Sequence, residues 1–250
     1  MAIGAGKRVF ARSWLATGVD IAFPPGCVNC GGLVENSDYR TLCVRCAAKL
    51  DFVESPACVT CGHPFYGEVE GERMCPHCEG LHPAYAEGRT TVLFKGPARA
   101  LIHELKYHRG LYVLADLAEI FRRSLRVMEF VQDAVLVPVP LHPRKHRERG
   151  YNQSECLVDA LIRATEGRTR SAQLLRRVVD TASQTAFDRK ARRTNLKNAF
   201  ALRSGAPITP GHRYILVDDV FTTGSTLNSC AGVLRRAGCL NLGVLTFGHG

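Results

Sequence analysis

Apolar positions follow two patterns that alternate along the chain. Short continuous apolar runs have the length of buried strands, and they lie at residues 90–94, 134–139, 214–217 and 240–247, with a shorter one near Leu174. Between them, apolar residues recur with helical spacing at 97–110, 111–127, 152–164 and 227–237. The helix at 111–127 should turn Leu125 inward with its other apolar residues. Helices between apolar strands predict an α/β fold with a doubly wound parallel sheet.

The strand at 214–217 runs directly into the most informative segment of the chain. Two carboxylates, Asp218 and Asp219, come first, and small or hydroxylated residues follow before the next helix: Thr222, Thr223, Gly224, Ser225 and Thr226. Such a loop points backbone N–H groups and hydroxyls at one place, where the helix dipole also favours an anion. The carboxylates would repel a bare phosphate, but they suit a ligand that also carries ribose hydroxyls or Mg²⁺.

The segment therefore predicts a site for a ribose 5-phosphate at the carboxyl end of a strand, where such sheets bind ligands. A Rossmann-like turn with acidic residues near a strand end is the alternative. A P-loop is excluded, since no Gly-Lys-Ser/Thr follows the glycine.

Eight of the eleven cysteines form four Cys-x-x-Cys pairs, namely Cys27/Cys30, Cys43/Cys46, Cys58/Cys61 and Cys75/Cys78. Two such pairs supply the four thiolates of a closed tetrahedral zinc site, so the spacing predicts two structural Zn²⁺ ions. Consecutive pairing of the knuckles is favoured over an interleaved arrangement. A redox dithiol needs only one pair, and His63, His77 and His82 are alternative ligands. Cys156, Cys230 and Cys239 lie in apolar contexts and are expected in the core.

Length and composition suggest one sizeable domain and a small one. The boundaries predicted are an amphipathic helix at 1–25, a double zinc ribbon at 26–82 and an α/β domain at 86–250. No apolar run of the 250 residues is long enough to span a bilayer. Lys7, Arg8 and Arg12 interrupt the mildly apolar N-terminus, so no export signal is evident and a cytoplasmic protein is expected.

The formal net charge of +10 favours anionic partners such as nucleotides, pyrophosphate or nucleic acid. Residues 144–149 follow a strand end and include Arg144, Arg147 and Arg149, whose guanidinium groups suit pyrophosphate oxygens. A solvated run of charge is the alternative there. The basic stretch at 176–200, which includes Gln184 and Arg192, could form a lid over an anionic substrate or a charged helix that covers the sheet.

Taken together, these motifs resemble the ComF family of competence-associated proteins over nearly the whole chain. The resemblance rests on the paired knuckles, the segments at 105–107, 137–142, 149–153 and 217–226, and Gln184 followed by Arg192, Asn195 and Phe200. It implies a type I phosphoribosyltransferase domain behind a zinc-binding domain. It also implies a link to bacterial DNA uptake and the handling of incoming single strands.

The same resemblance implies roles for individual residues. Phosphoribosyl pyrophosphate (PRPP) would bind with Mg²⁺, its 5′-phosphate in the loop from Thr222 to Thr226 and its ribose hydroxyls at Asp218 and Asp219. These aspartates would also stabilise the positive charge that develops on the ribose, while Arg149, with Arg144 and Arg147, neutralises the leaving pyrophosphate. Contacts to pyrophosphate or lid closure would fall to Lys106, Gln184 and Arg192.

Two non-enzymatic hypotheses remain beside phosphoribosyl transfer to an unidentified acceptor. The fold could serve as a module that binds single-stranded DNA without chemistry, although few aromatic residues lie in its basic segments. Alternatively, it could sense PRPP and relay occupancy to a protein of the competence machinery through the zinc domain.

Overall fold

The computed structural model describes residues 26–67, 73–179 and 199–250, and its centre is a parallel sheet of five strands. In chain order these are β1 (Glu87–Leu93), β2 (Val135–Pro138), β3 (Arg170–Ser171), β6 (Tyr214–Phe221) and β7 (Leu242–His249). Their order across the sheet is β1-β7-β6-β2-β3. Two further strands, β4 (Leu175–Arg177) and β5 (Phe200–Leu202), form a separate antiparallel pair.

The α-helices in the described part of the chain connect and cover these strands. They are α1 (Val44–Ala47), α2 (Gly96–Tyr107), α3 (Leu114–Arg123), α4 (Leu125–Val131), α5 (Pro143–Arg149), α6 (Gln153–Ala164) and α7 (Ser225–Arg236), with a 3-10 turn at Leu111–Val113 before α3. None of these helices combines the length and the apolar character that crossing a bilayer requires.

Each face of the sheet has its own apolar core. Alternate strand residues such as Leu136 and Val217 pack on one face against α2, α3, α4 and α6. Their neighbours Val137 and Leu216 pack on the other face against α7. Period-two alternation between two covered faces is what a doubly wound parallel sheet requires, and it confirms the predicted fold class.

The two cysteine clusters belong to opposite cores. Cys27, Cys43 and Cys46 contribute to the core of α2 and α3, whereas Cys58, Cys61, Cys75 and Cys78 contribute to the core of α7. Between them, the chain runs along the outer edge of β1: Phe52 forms a bridge with Val92, and the Gly88 N–H donates to Val59 O at 2.7 Å. This connection covers a strand edge that would otherwise expose unpaired backbone groups.

The predicted helix at 111–127 is wrong in its extent and in one inward residue. Ser124 is in an extended conformation (φ −87°, ψ 94°) and ends α3, while its carbonyl accepts the N–H groups of Val127 and Met128 in α4. The break rotates the apolar face, so Leu125 is 74% exposed and Val127 is buried instead. The strand near Leu174 belongs to the β4–β5 pair rather than to the parallel sheet.

Candidate functional site

The candidate site lies where the strand connections diverge. From β2 the chain leads through α5 and α6 to β3, whereas from the adjacent β6 it leads through α7 to β7 on the other side. Because α6 and α7 cover opposite faces, a crevice opens outside the carboxyl ends of β2 and β6. Open parallel sheets bind ligands at such a switch point.

The acidic pair sits inside β6 rather than after it. Asp218 is in register with Thr246 of β7, and the strand continues to Phe221, four residues beyond its predicted end. Asp218 Oδ1 accepts hydrogen bonds from Ser154 Oγ at 3.0 Å and from the Asp219 N–H at 2.9 Å. The Asp219 side chain is buried and forms an ion pair with Lys106 of α2. The two carboxylates thus have different partners on different helices.

The environment of Asp218 favours its protonated form. Burial and the neighbouring charge of Asp219 raise the pKa of Asp218 to about 7, against the opposing effects of the Asp219 N–H, Lys106 and Ser154. Bringing a cation or a hydroxyl donor to this carboxylate would shift it back toward the ionised form.

The loop after β6 has the form expected of an anion site. Gly224 precedes α7 in a left-handed conformation (φ 68°), so Thr222–Gly224 form a tight turn and Ser225 and Thr226 open the helix. The Thr223 hydroxyl lies 2.9 Å from the Ser225 hydroxyl. A small pocket is lined by Asp218 and by all five predicted loop residues. The first N–H groups of a helix have no acceptor within it, and the Ser225 N–H has only a long contact of 3.4 Å to Thr223 Oγ1, so this end of α7 suits an anion.

The predicted basic residues divide into two groups. Lys106 reaches the acidic pair, and the Arg149 guanidinium lies 6.0 Å from the Tyr107 ring and donates to Gln153 at the start of α6. Arg144 and Arg147 lie on the exposed surface of α5, where Arg144 forms an ion pair with Glu148. Gln184 and Arg192 lie outside the described residues, as does the predicted helix at 1–25.

Sequence reasoning missed the residues that fix the acidic pair and the end of β2. The Tyr151 hydroxyl donates to Leu105 O beside Lys106, and Asn152 Nδ2 donates to Val139 O at 2.9 Å while its Oδ1 caps α6. Ser154, two residues later, is the donor to Asp218. The signal available in the sequence was a helix N-cap, Asn152, two residues after the glycine that follows the basic segment.

Both cysteine clusters fit Zn²⁺ and pair consecutively, as favoured from the sequence. In each, four sulfur atoms lie within 4.8 Å of one another: Cys27, Cys30, Cys43 and Cys46 in the first cluster, and Cys58, Cys61, Cys75 and Cys78 in the second. The Sγ atoms of Cys30 and Cys43 are 3.8 Å apart, and those of Cys61 and Cys75 are 3.7 Å apart. Thiolates at about 2.3 Å from a tetrahedral Zn²⁺ lie about 3.8 Å from each other.

Polar N–H groups orient the ligand sulfurs as outer partners of a metal site do. The Cys75 N–H donates to Cys58 Sγ at 3.2 Å, and Asn29 Nδ2 donates to Cys46 Sγ at 3.2 Å. With four thiols in each cluster, no histidine is needed as a ligand. Cys156, Cys230 and Cys239 are buried core residues, as predicted.

Fold and site together define a parallel α/β protein with a double zinc ribbon and an acidic strand-loop-helix site, and comparison with known proteins agrees. Residues 18–79 match the model of the double zinc ribbon domain. Competence protein F of Haemophilus influenzae is 30% identical over 214 residues, which are 80% of this chain and 93% of that protein. The DNA utilization protein YhgH of Salmonella typhimurium is 32% identical over 81% of this chain and 94% of its own.

A more distant relative, competence protein ComFC of Bacillus subtilis, is 23% identical over 79% of each chain. The chain belongs to the ComF family. Among solved structures, a hypoxanthine phosphoribosyltransferase from Staphylococcus aureus is similar over 53% of this chain and 61% of its own, with 13% identity and a TM-score of 0.33. The fold class therefore stands on the strand order and register rather than on that likeness.

Proposed function

We propose that the chain binds PRPP together with Mg²⁺ at the carboxyl end of β6 and transfers its phosphoribosyl group to an acceptor. The observation that carries this proposal is that the Asp218 carboxylate and a glycine-initiated helix N-terminus line one pocket at the switch point, with Asp219 next to Asp218 in the strand. A phosphate and a sugar diol about one sugar apart match these two kinds of group.

Each part of the ligand has a partner of suitable chemistry. The N–H groups and hydroxyls from Thr222 to Thr226 suit the 5′-phosphate, and Asp218 and Asp219 suit the ribose hydroxyls. Their carboxylate oxygens are also hard ligands of the kind that Mg²⁺ accepts. Lys106 and Arg149, which lie on the α2 and α5 side of the crevice, suit the pyrophosphate, with Gln184 and Arg192 as proposed lid residues.

In the transfer, the bond from C1′ to the pyrophosphate oxygen breaks and its electron pair leaves with pyrophosphate. The acceptor then forms the new bond to C1′ with its own lone pair and gives its proton to solvent. Ionised Asp218 and Asp219 stabilise the positive charge on the ribose after the first bond breaks and before the new bond forms. Lys106 and Arg149 stabilise the negative charge of the departing pyrophosphate.

The names of the relatives support a role in DNA uptake. Competence protein F and ComFC are named for competence and YhgH for DNA utilization, so we propose that this chain serves natural transformation. A cytoplasmic location suits eight thiols arranged as metal ligands rather than disulfides.

The test is calorimetric titration of the zinc-loaded protein with PRPP, with and without Mg²⁺. Wild type should bind in a Mg²⁺-dependent manner, and the Asp218→Ala/Asp219→Ala double variant should not. Asp159→Ala, which removes an exposed carboxylate from α6, is the control and should bind as wild type does. Absence of binding to the wild type would refute the proposal.

Single-stranded DNA binding without chemistry is the second candidate, and one observation favours it. The structure brings one aromatic residue from outside the basic segments to the side of such a segment: Tyr107 is 65% exposed, and the Arg149 guanidinium lies 6.0 Å from its ring. Exposed aromatic rings beside cations are the elements of a base-stacking surface. DNA affinity that falls steeply with salt and is unchanged in Asp218→Ala would support this candidate.

A further inference from the structure

The second zinc cluster is joined to the proposed phosphate loop by a short connection. Leu81, three residues after Cys78, donates its N–H to Cys78 O at 3.0 Å, and its side chain lies against the loop. A Cβ atom built on Gly224 would stand only 3.0 Å from Leu81 Cδ2. A residue of the zinc ribbon therefore packs against the turn at Gly224, beside Phe221 of β6.

Asn228, in the first turn of α7, fastens the same connection by its side chain. Its Oδ1 accepts the Ala84 N–H at 2.7 Å, and its Nδ2 donates to Leu81 O at 3.0 Å and to His82 O at 3.3 Å. The Asn228 N–H in turn donates to Gly224 O at 2.8 Å. One residue thus binds the chain after Cys78 on one side and the loop glycine on the other.

The other knuckle of the same cluster reaches the start of the loop through stacked rings. His249, at the end of β7, stacks on Phe221 with centroids 5.4 Å apart and an interplanar angle of 14°. On its other side, the His249 ring lies 4.6 Å from the ring of His63, which follows Cys61 by two residues. Thr90 Oγ1 ties this knuckle to β1 by donating to Cys61 O at 2.8 Å.

The first cluster is attached elsewhere. The residues between its knuckles are held by the buried Asp116 of α3, whose carboxylate accepts the N–H groups of Arg40 and Thr41 at 2.7 and 2.8 Å. Cys27, Cys43 and Cys46 pack into the core on the face of the sheet opposite α7.

We propose that zinc at the second cluster holds the loop from Thr222 to Thr226 in its anion-binding shape, with Asn228 as the positioning residue. Zinc at the first cluster does not have this effect on the loop. Without the metal ion, the two knuckles of the second cluster are no longer held together. Leu81, which packs against the loop, and His63, which reaches it through His249 and Phe221, then lose their fixed positions. The claim that the loop binds an anion rests on the proposed function, whereas the claim that the second cluster keeps the loop ordered does not.

The experiment compares Cys46→Ser with Cys78→Ser by hydrogen exchange of the full chain without ligand. Both residues are buried and each is the last ligand of its cluster. Exchange over 222–228 should rise about tenfold or more in Cys78→Ser and change less than about twofold in Cys46→Ser. Zinc content measured on the same samples establishes which site has lost its metal.

A second variant, Asn228→Ala, keeps every zinc ligand, so it tests the inference even if Cys78→Ser does not fold. It should raise exchange over 222–228 with both zinc ions retained, and Arg235→Ala, an exposed change on the same helix, should not. Unchanged loop exchange in Asn228→Ala, or an equal rise in Cys46→Ser, would overturn the inference.

PRPP titration of the same variants separates the two proposals. If the wild type does not bind PRPP but loop exchange responds as stated, the proposed function fails and the coupling stands. If the wild type binds and the Asn228→Ala loop is unaffected, the function stands and the coupling fails.

Discussion

Asp218 combines an unfavourable charge with a proposed role in binding. In the folded protein its pKa is about 7, whereas in the unfolded chain it is about 4. Between these values the folded protein holds a proton that the unfolded chain releases, so the Asp218 contribution to stability falls as pH rises from 4 to 7. A residue that costs stability at neutral pH fits a position kept for function.

Replacing Asp218 by Asn should therefore stabilise the protein while weakening PRPP binding. Asn retains an oxygen for Ser154 and for the Asp219 N–H, and the gain should be about 1–3 kcal/mol at pH 8, since the carboxylate is partly solvated. The gain should shrink as pH is lowered from 7 toward 4. Urea denaturation of both proteins over this range measures it, and a gain that does not vary with pH would contradict the shifted pKa.

PRPP affinity should have the opposite dependence on pH. An ionised Asp218 accepts hydroxyl donors and a cation, so wild-type affinity should increase as pH rises from about 6 to about 8. Asp218→Asn should show a flat profile over the same range, as followed by calorimetry. A flat wild-type profile would mean that this carboxylate does not contact the ligand.

Gly224 is the loop position where a side chain cannot be added without strain. Its φ of 68° is left-handed, and a Cβ atom would lie 2.5 Å from Phe221 Cζ. Gly224→Ala should cost about 1–3 kcal/mol of unfolding free energy. Gly232→Ala in the middle of α7 is the control: its nearest neighbour would be Arg236 Nη1 at 3.5 Å, so about 0.5–1 kcal/mol of stabilisation is expected. Equal effects in thermal unfolding would exclude the loop strain.

Residues that act within a short stretch of chain were predictable, and those that act across the fold were not. The cysteine pairs and the segment from Asp218 to Thr226 carry their chemistry in local spacing. Ser154 meets Asp218 across 64 positions, and Asn228 meets Leu81 across 147. Such contacts depend on the strand order, which local patterns do not encode.

Among the elements, α3 carries the attachment of the first zinc cluster. Asp116 is buried and accepts three hydrogen bonds, from the N–H groups of Arg40 and Thr41 and from Thr41 Oγ1. Without the carboxylate, only water could accept these hydrogen bonds, and the buried position of Asp116 excludes water. Asp116 therefore attaches the segment between the knuckles to α3, together with Arg123, which forms an ion pair with Asp38.

Asp116→Ala should destabilise the protein by about 2–4 kcal/mol, because two buried donors of Thr41 and the part-buried N–H of Arg40 lose their acceptor. Urea denaturation measures the loss. Asp159→Ala on the exposed face of α6 is the control and should change stability by less than about 0.5 kcal/mol. A loss as small as that of the control would mean that water replaces the carboxylate.

Element boundaries were predictable where the apolar spacing is regular. The helix predicted at 152–164 matches α6, since Asn152 is a clear N-cap and its apolar spacing continues to Ala164. The break at Ser124 was not predictable, because Leu125 continues the helical spacing of α3 and only the packing of Val127 and Phe130 in the core shows that the backbone changes direction.

At the scale of the whole molecule, the zinc ribbons are part of the α/β core. They contribute to the cores on both faces and cover the edge of β1. A fragment of residues 86–250 should therefore lack a stable native state, although the predicted boundary makes it a domain. Circular dichroism melting should show no cooperative transition for the fragment, in contrast to the zinc-loaded full chain. A cooperative transition near that of the full chain would show that the ribbons only decorate the sheet.

The position of β7 has a consequence for how the chain is made. β1 lies at one side of the sheet and its neighbour there is β7, and about 150 residues separate the end of β1 at Leu93 from the start of β7 at Leu242. Protein synthesis adds roughly 5–20 residues per second, so β1 and the ribbon beside it wait about 10–30 seconds for their partner. During that interval the nascent chain has an open strand edge on the side of β1 that β7 covers in the folded protein. Ribosome-bound chains of this protein should thus need protection from premature association until β7 has been made.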